Sequence, residues 1–233
     1  MSSPCGIVVI DKPAGPSSHD VVAWVRWALR VRAVGHCGTL DPPATGVLVV
    51  CVGEATKLAG FLVDDDKHYD ARIVLGRSTT TGDAQGETVA SVPVPTGALD
   101  RAIAILPALL GHHAWSPPQV SAVREGGVRA HARARAGEVF TLPARDMVVH
   151  ALRLHAVDRD AHAIDLALHV GKGTYVRTIA TELGAALGVP AHLAALRRTA
   201  AGRFDLHGAV TGLRAVPLPP RPGDKPRVRV LGP

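Results

Sequence analysis

The chain begins with a short β-branched run at residues 6–10 and turns at Asp11-Lys12-Pro13-Ala14-Gly15, which predicts a strand and then a loop. Ser17 and Ser18 are N-cap residues for a helix. Val21, Val22, Val25, Ala28 and Leu29 recur at i, i+1, i+4, i+7 and i+8, one face of that helix. A loop dense in Gly, Pro and Thr spans 35–46. Residues 47–52 are apolar without a break, as in a strand buried on both faces. The pattern next predicts a short helix over 54–63, an alternating strand over 68–75, a polar loop over 76–87 and a helix over 99–110. Residues 111–145 break the pattern with Pro117-Pro118 and then Arg124, Arg129, Arg133 and Arg135, and they read as an insertion. Strands are expected over 148–157 and 164–170, a helix over 174–187 stopped by Gly188-Val189-Pro190, and another short helix over 191–198. Strands and helices mix without strict βαβ alternation, which argues for an α+β fold around a mixed, largely antiparallel sheet.

At 233 residues the chain holds one large domain or a domain with a short appendage, and 47% hydrophobic residues exclude global disorder. The formal charge is +6, carried by 21 Arg and 5 Lys. Arg presents a planar fork suited to phosphate and a face that stacks on bases. Cys5, Cys37 and Cys51 form no CxxC pair, and their odd number argues against a disulfide scaffold, so a reducing compartment is expected. The N-terminus lacks the pattern of a signal peptide, and the apolar runs fall far short of the roughly 20 residues that span a bilayer. These features predict a soluble, cytoplasmic protein with no membrane partner. Without a coiled-coil heptad, a monomer is expected. From Pro217 the chain is Pro-rich and basic, a tail rather than a domain.

Chemistry concentrates in Gly35-His36-Cys37-Gly38-Thr39-Leu40-Asp41-Pro42-Pro43-Ala44-Thr45-Gly46. One carboxylate, Asp41, sits among glycines that let the backbone approach a ligand and prolines that fix the loop. A carboxylate so held suits catalysis, although a turn Asp before Pro is also common. Two lookalikes are set aside. Gly171-Lys172-Gly173-Thr174 lacks the order of a phosphate loop. His155, His162 and His169 recur every seven residues in a region expected to be strand, and no HExxH occurs, so no metal is expected.

Residues 35–48 resemble the GHxGTLDPxAxGVL signature of the TruB family of RNA pseudouridine synthases. Further stretches agree in order: 6–20 with the family's N-terminal DKPxGxSS motif, 53–57 with GxATK, and 66–69 with DKxY. Residues 75–87 resemble LGxxTxTxDxxG, 172–178 KGTYIRT, and 191–199 AHLxxLRRT. The resemblance covers roughly 6–210 and implies the pseudouridine synthase fold, with 1–210 as the catalytic domain.

The resemblance further implies that Asp41 is the essential carboxylate, acting as a nucleophile or as a base at the ribose. It implies that Arg177 pairs with Asp41, and that Tyr69 stacks on the target uracil. His36 enters the RNA loop as the target base flips out. Gly38, Thr39 and Leu40 shape the loop around Asp41. Lys12 supports that loop or contacts RNA. Leu196 lies near the uracil pocket, with a helix-core leucine as the plain alternative, and Tyr175 belongs to the KGTY motif. Lys57, Arg124, Arg129, Arg133, Arg197 and Arg198 are candidates for phosphate contacts. The implied reaction breaks the N1–C1′ bond of uridine, turns the base and rejoins it through C5, with no cofactor.

The chain departs from the family pattern at Cys37 (usually Thr or Ser), Pro43 (Leu or Met), Val120 (an aromatic), Arg124 (Lys) and His131 (Tyr). Only 23 residues follow position 210, too few for the RNA-binding module of PUA type common in the family. The implied substrate is the uridine at position 55 in the TΨC stem-loop of tRNA. The motifs favour a stand-alone enzyme over the related guide-RNA-dependent synthases. The alternatives are the same chemistry on another RNA, or an RNA-folding chaperone with dispensable catalysis.

Overall fold

The unbroken apolar run forms strand β3 (Thr45–Val52), in which residues 47–52 are all buried, as a strand covered on both faces requires. The computed structural model describes residues 4–210, apart from 122, 126, 127, 131, 132, 134–137 and 139. His131 and the tail expected beyond 210 therefore lie outside the described residues. The chain divides into two compact units, one holding Met1–Val63 and the chain from Phe204, the other Asp64–Arg203.

In the first unit, β1 (Gly6–Lys12) runs antiparallel to β3 from Gly6↔Val52 to Lys12↔Gly46. The short β2 (Val34–His36) also pairs with β3, setting His36 opposite Val50. Helix α1 (Ser18–Leu29) starts at a capping box. The Ser17 hydroxyl accepts from the Asp20 N–H at 3.2 Å, and the Asp20 carboxylate accepts from the Ser17 N–H at 2.9 Å. Val21, Val22 and Val25 form its buried face, as their spacing predicts, whereas Ala28 and Leu29, expected on the same face, are exposed. The helix expected over 54–63 is instead a 3-10 turn, Gly53–Leu58, running into the single-turn α2 (Ala59–Leu62). Val210 closes the unit, its N–H donating to Val9 O at 2.9 Å.

The second unit is built around β4 (Lys67–Leu75), whose burial alternates strictly. It pairs antiparallel with β11 (Ala163–Val170) on one side and β12 (Ala191–Ala201) on the other. β10 (Arg145–Asp158) continues the sheet beyond β11 with two register shifts, and β7 (Gly111–Trp115) lies beyond it. Two small hairpins, β5 (Arg77–Thr79) with β6 (Thr88–Ser91) and β8 (Arg124–Glu125) with β9 (Val128–Arg129), stand apart from this sheet. The helices are α3 (Ala98–Ile105), which tightens into a 3-10 turn over Leu106–Leu109 at Pro107, and α4 (Val176–Leu187), which ends at Gly188 with φ 67°. The α+β expectation holds.

One element differs in kind. The stretch expected as a helix over 191–198 is the strand β12. Its Ala, Leu and Arg residues are good helix formers, but His192 and Leu193 lie in register with Val74 and Ile73 of β4. Pairing with β4 over most of the strand outweighs a helix preference of tenths of a kcal/mol per residue.

Candidate active-site residues and their supports

The loop that carries Asp41 joins β2 to β3, and its backbone is tied down on both sides of that residue. Ahead of it, the Ser18 hydroxyl donates to Leu40 O at 3.0 Å and accepts from the Leu40 N–H at 2.8 Å. Behind it, the Pro42 carbonyl accepts from the Gly15 N–H at 2.8 Å and from Lys12 Nζ at 3.1 Å. Lys12 is 0% exposed, and its ammonium also donates to Pro13 O at 3.0 Å and Pro16 O at 2.8 Å. Of the two roles expected for Lys12, this burial favours support of the loop. The Ala44 N–H closes the turn on Asp41 O at 3.0 Å, a bond that spans Pro43 and needs no N–H from it. Asp41 itself is half-buried. Gly38 has φ 104°, a left-handed conformation open to glycine and costly for other residues. Thr39 is exposed and Leu40 buried. Cys37, where the family usually has Thr or Ser, is buried with its Sγ 3.3 Å from Cys51 Sγ. The His36 ring meets His19 edge-on, with centroids 5.2 Å apart.

In the second unit Tyr69 lies in β4, 9% exposed, in register with Leu168 and Arg198. Arg177 opens α4 and is 5% exposed. Its guanidinium donates to Thr81 O and Val120 O, both at 2.9 Å, and its Nε stands 4.0 Å from an Asp83 carboxylate oxygen. Asp83 is buried and fixed in turn: its carboxylate accepts from the Thr81 hydroxyl at 2.6 Å and the Gln85 N–H at 3.0 Å. Asp83 is the acid of the stretch 75–87 that resembles LGxxTxTxDxxG, yet it is not among the candidate site residues; the motif is the signal that marks it. At position 120, where the family usually has an aromatic, the group that serves Arg177 is the backbone carbonyl.

A family model described as TruB family pseudouridylate synthase (N terminal domain) matches residues 26–176, and one described as tRNA pseudouridylate synthase B C-terminal domain matches residues 177–213. The chain belongs to the TruB family. It is 49% identical over 214 residues to tRNA pseudouridine synthase B of Thermobifida fusca, covering 88% of this chain and 72% of that one. It is 44% identical over 237 residues to the protein of the same name from Deinococcus deserti, covering 88% and 76%. Among solved structures, a Cbf5-Nop10-Gar1 complex matches with TM-score 0.66 and 30% identity, covering 86% of this chain and half of that one. An H/ACA RNP bound to a substrate RNA matches with TM-score 0.63 and 27% identity, covering 88% and 50%. These neighbours place the chain in the pseudouridine synthase fold.

The other TruB motif residues fall at varied depths. Tyr175 immediately precedes α4 and packs on a small apolar cluster of Val123, Ala130, Phe140 and Leu142. Leu196 is half-buried on β12 opposite Ala71, a strand position rather than the helix core. Arg197 is half-buried, whereas Arg198 is 1% exposed, which removes it from the solvated cations expected to meet phosphate. Lys57 is exposed and pairs with Glu54 at 2.5 Å. The Arg133 guanidinium lies over the Phe140 ring at 4.1 Å and pairs with Glu138 at 2.7 Å. The side chains of Arg124 and Arg129, in the β8/β9 hairpin, lie outside the described residues.

Burial lowers the pKa of His192, whose Nδ1 lies 3.0 Å from Arg77 O and whose Nε2 lies 3.1 Å from the Arg77 guanidinium. The second contact requires a bare Nε2 as acceptor, so the neutral ring with its proton on Nδ1 fits the pair. The three histidines at seven-residue spacing do not converge. His155 stands 3.7 Å from Asp70, His162 sits in a turn with φ 49°, and His169 stands 3.2 Å from Asp66. Among the described residues, the group placed to hold a metal ion is Asp66, His150 and His169. No helix among the described residues is long and apolar enough to cross a membrane.

Proposed function

We propose that this protein converts a uridine of tRNA to pseudouridine, at position 55 in the TΨC loop, acting as a cytoplasmic monomer. The observation that carries the reading is the 44–49% identity, over 88% of the chain, to proteins named tRNA pseudouridine synthase B. That identity exceeds the 27–30% shared with the Cbf5 and H/ACA structures, which favours the stand-alone reading. Three free thiols agree with a reducing compartment.

Asp41 is the essential carboxylate, Tyr69 the residue that stacks on the uracil, and Arg177 the buried cation of the site. The reaction exchanges an N1–C1′ bond for a C5–C1′ bond. The C5 proton leaves and N1 gains one, so the composition of the RNA is unchanged and no redox equivalent is needed. The ties at Leu40 and Pro42 suit this chemistry, because a carboxylate on a restrained backbone meets the ribose without first losing freedom. His36, Lys57, Arg124 and Arg197 contact the RNA, and residues 1–210 form the catalytic domain, with 111–145 as an RNA-binding insertion.

The test is tritium release from tRNA labelled at uridine C5, together with site-resolved mapping of pseudouridine. The expected result is one modified site, in the TΨC loop, and Asp41→Asn that binds tRNA yet releases no tritium. Release at another site would shift the substrate. No release from the wild-type protein, with binding intact, would favour an RNA chaperone.

A further inference from the structure

On the face of the second unit's sheet opposite Tyr69, three side chains converge that the pseudouridine reaction does not use. Asp66 is the residue before β4, His169 lies on β11, and His150 lies on β10. The Asp66 Oδ2 is 3.2 Å from His169 Nε2 and 3.4 Å from His150 Nε2, and the three ligand atoms lie within 4.8 Å of one another. Bonds of about 2.0–2.2 Å to a tetrahedral ion set ligand atoms roughly 3.3–3.6 Å apart, so two of the three separations are already close to what one needs.

The surroundings hold this arrangement. β10 shifts register between Val149 and Ala151, and the residue between them is His150. A Cβ on Gly171 would come within 3.2 Å of His150 Nε2, so the glycine leaves room at that imidazole. His68, opposite His169 in register, stacks on it with centroids 4.1 Å apart and planes 10° apart, fixing the ring. The Asp66 carbonyl accepts from the Gly202 N–H at 2.8 Å, which anchors the residue's backbone. The nearby lysines turn to other acceptors: Lys172 to the Asp64 carboxylate at 2.7 Å, and Lys67 to the Asp65 carbonyl. All three side chains remain partly exposed and open to an ion from solvent.

We propose that Asp66, His150 and His169 bind a divalent first-row transition ion, Zn2+ foremost, which clasps the start of β4 to β10 and β11. Two imidazoles and one carboxylate select this class over Mg2+ or Ca2+, which take oxygen ligands. Three protein ligands leave at least one position to water. The role is structural, and the ion lies across the sheet from Tyr69.

The test uses the full, tag-free chain, stripped by chelator and dialysed. Zn2+ is titrated by calorimetry, Co2+ by its visible spectrum, and thermal unfolding is monitored with and without Zn2+. One equivalent of Zn2+ is expected to bind, displace Co2+ and raise the unfolding temperature. His150→Ala and His169→Ala each weaken binding at least about 100-fold, the upper end of what loss of an outer-shell partner costs. His155→Ala and His112→Ala leave it unchanged. Asp66→Asn, which preserves size, abolishes the Co2+ spectrum and serves if a histidine variant fails to fold. No saturable binding, or binding of the same strength after His150→Ala and His169→Ala, overturns the proposal. Either result would mean that the two imidazoles merely share one carboxylate.

Discussion

The ammonium of Lys12 lies 3.1 Å from the carbonyl oxygen of Pro42, the residue directly after Asp41. The ammonium also donates to the carbonyls of Pro13 and Pro16. A cation buried this deeply is tolerated because three acceptors replace its water. It thereby joins the turn after β1 to the loop that carries Asp41.

Lys12→Met keeps the bulk and removes the donors. With each orphaned acceptor costing about 1–3 kcal/mol, and Pro42 still served by Gly15, a loss of roughly 2–6 kcal/mol is expected in urea unfolding. The turnover number should fall more than tRNA affinity, because the loop moves while the RNA-facing surface stays. Lys12→Arg should not rescue it, since a planar fork cannot point at three converging carbonyls. Wild-type stability and rate in Lys12→Met would remove this residue from the support of the site.

Asp83→Asn is isosteric and leaves Arg177 without its nearby carboxylate. Single-turnover pseudouridine formation should slow by about tenfold or more, equivalent to about 1.4 kcal/mol of barrier. Filter binding of tRNA should be unchanged. An unaltered rate would show that Asp83 only shapes its loop.

His192 should make the fold sensitive to mild acid. Burial, reinforced by the Arg77 guanidinium, lowers its pKa below the usual 6.5 despite the opposing pull of the Arg77 carbonyl. The folded state therefore favours the neutral ring. Its contribution to stability is complete above pH 6.5 and is lost as pH falls from there through the folded-state pKa. Unfolding midpoints measured across this range should decline on acidification. The decline should be shallower in His192→Gln, and identical slopes in the two proteins would contradict the assignment.

Gly184 sets two effects against each other. Within α4, alanine would gain about 1 kcal/mol of helix propensity. A Cβ there would meet Ala191 N and Val189 O at 2.8 Å, however, and both are backbone atoms of the turn into β12. Overpacking of this kind costs about 1–3 kcal/mol, so Gly184→Ala should be net destabilising in denaturant titrations. A stabilised variant would show that the turn can yield.

Local order was legible wherever one residue's neighbours in sequence decide its state. The α1 cap at Ser17, the buried run of β3 and the alternation of β4 all arise from patterns a few residues long. β12 was not legible, because its strand state comes from β4, more than a hundred residues earlier in the chain. For the candidate site, the motif resemblance points to Asp41, Tyr69 and Arg177 and offers Lys12 as a support of the loop, but not the contacts by which it acts. A lysine in a surface-like motif carries no mark of burial, and the buried Lys12 donates to carbonyls of two segments, the turn at 13–16 and the loop at Pro42. Asp66, His150 and His169 are brought together by the pairing of β4, β10 and β11 and by the register shift at His150, which no spacing in the sequence expresses.

Tyr69 belongs to a strand hydrogen-bonded along both edges, by β11 on one side and β12 on the other. Such backbone exchanges its amide protons with solvent only when a large part of the sheet separates. The ring proposed to receive the base thus rides on a strand held on both sides. With Tyr69 in that proposed role, adjustment during capture would fall to the nucleotide and to the loops, and the aromatic surface would serve as a fixed reference against which a correctly extruded base is gauged.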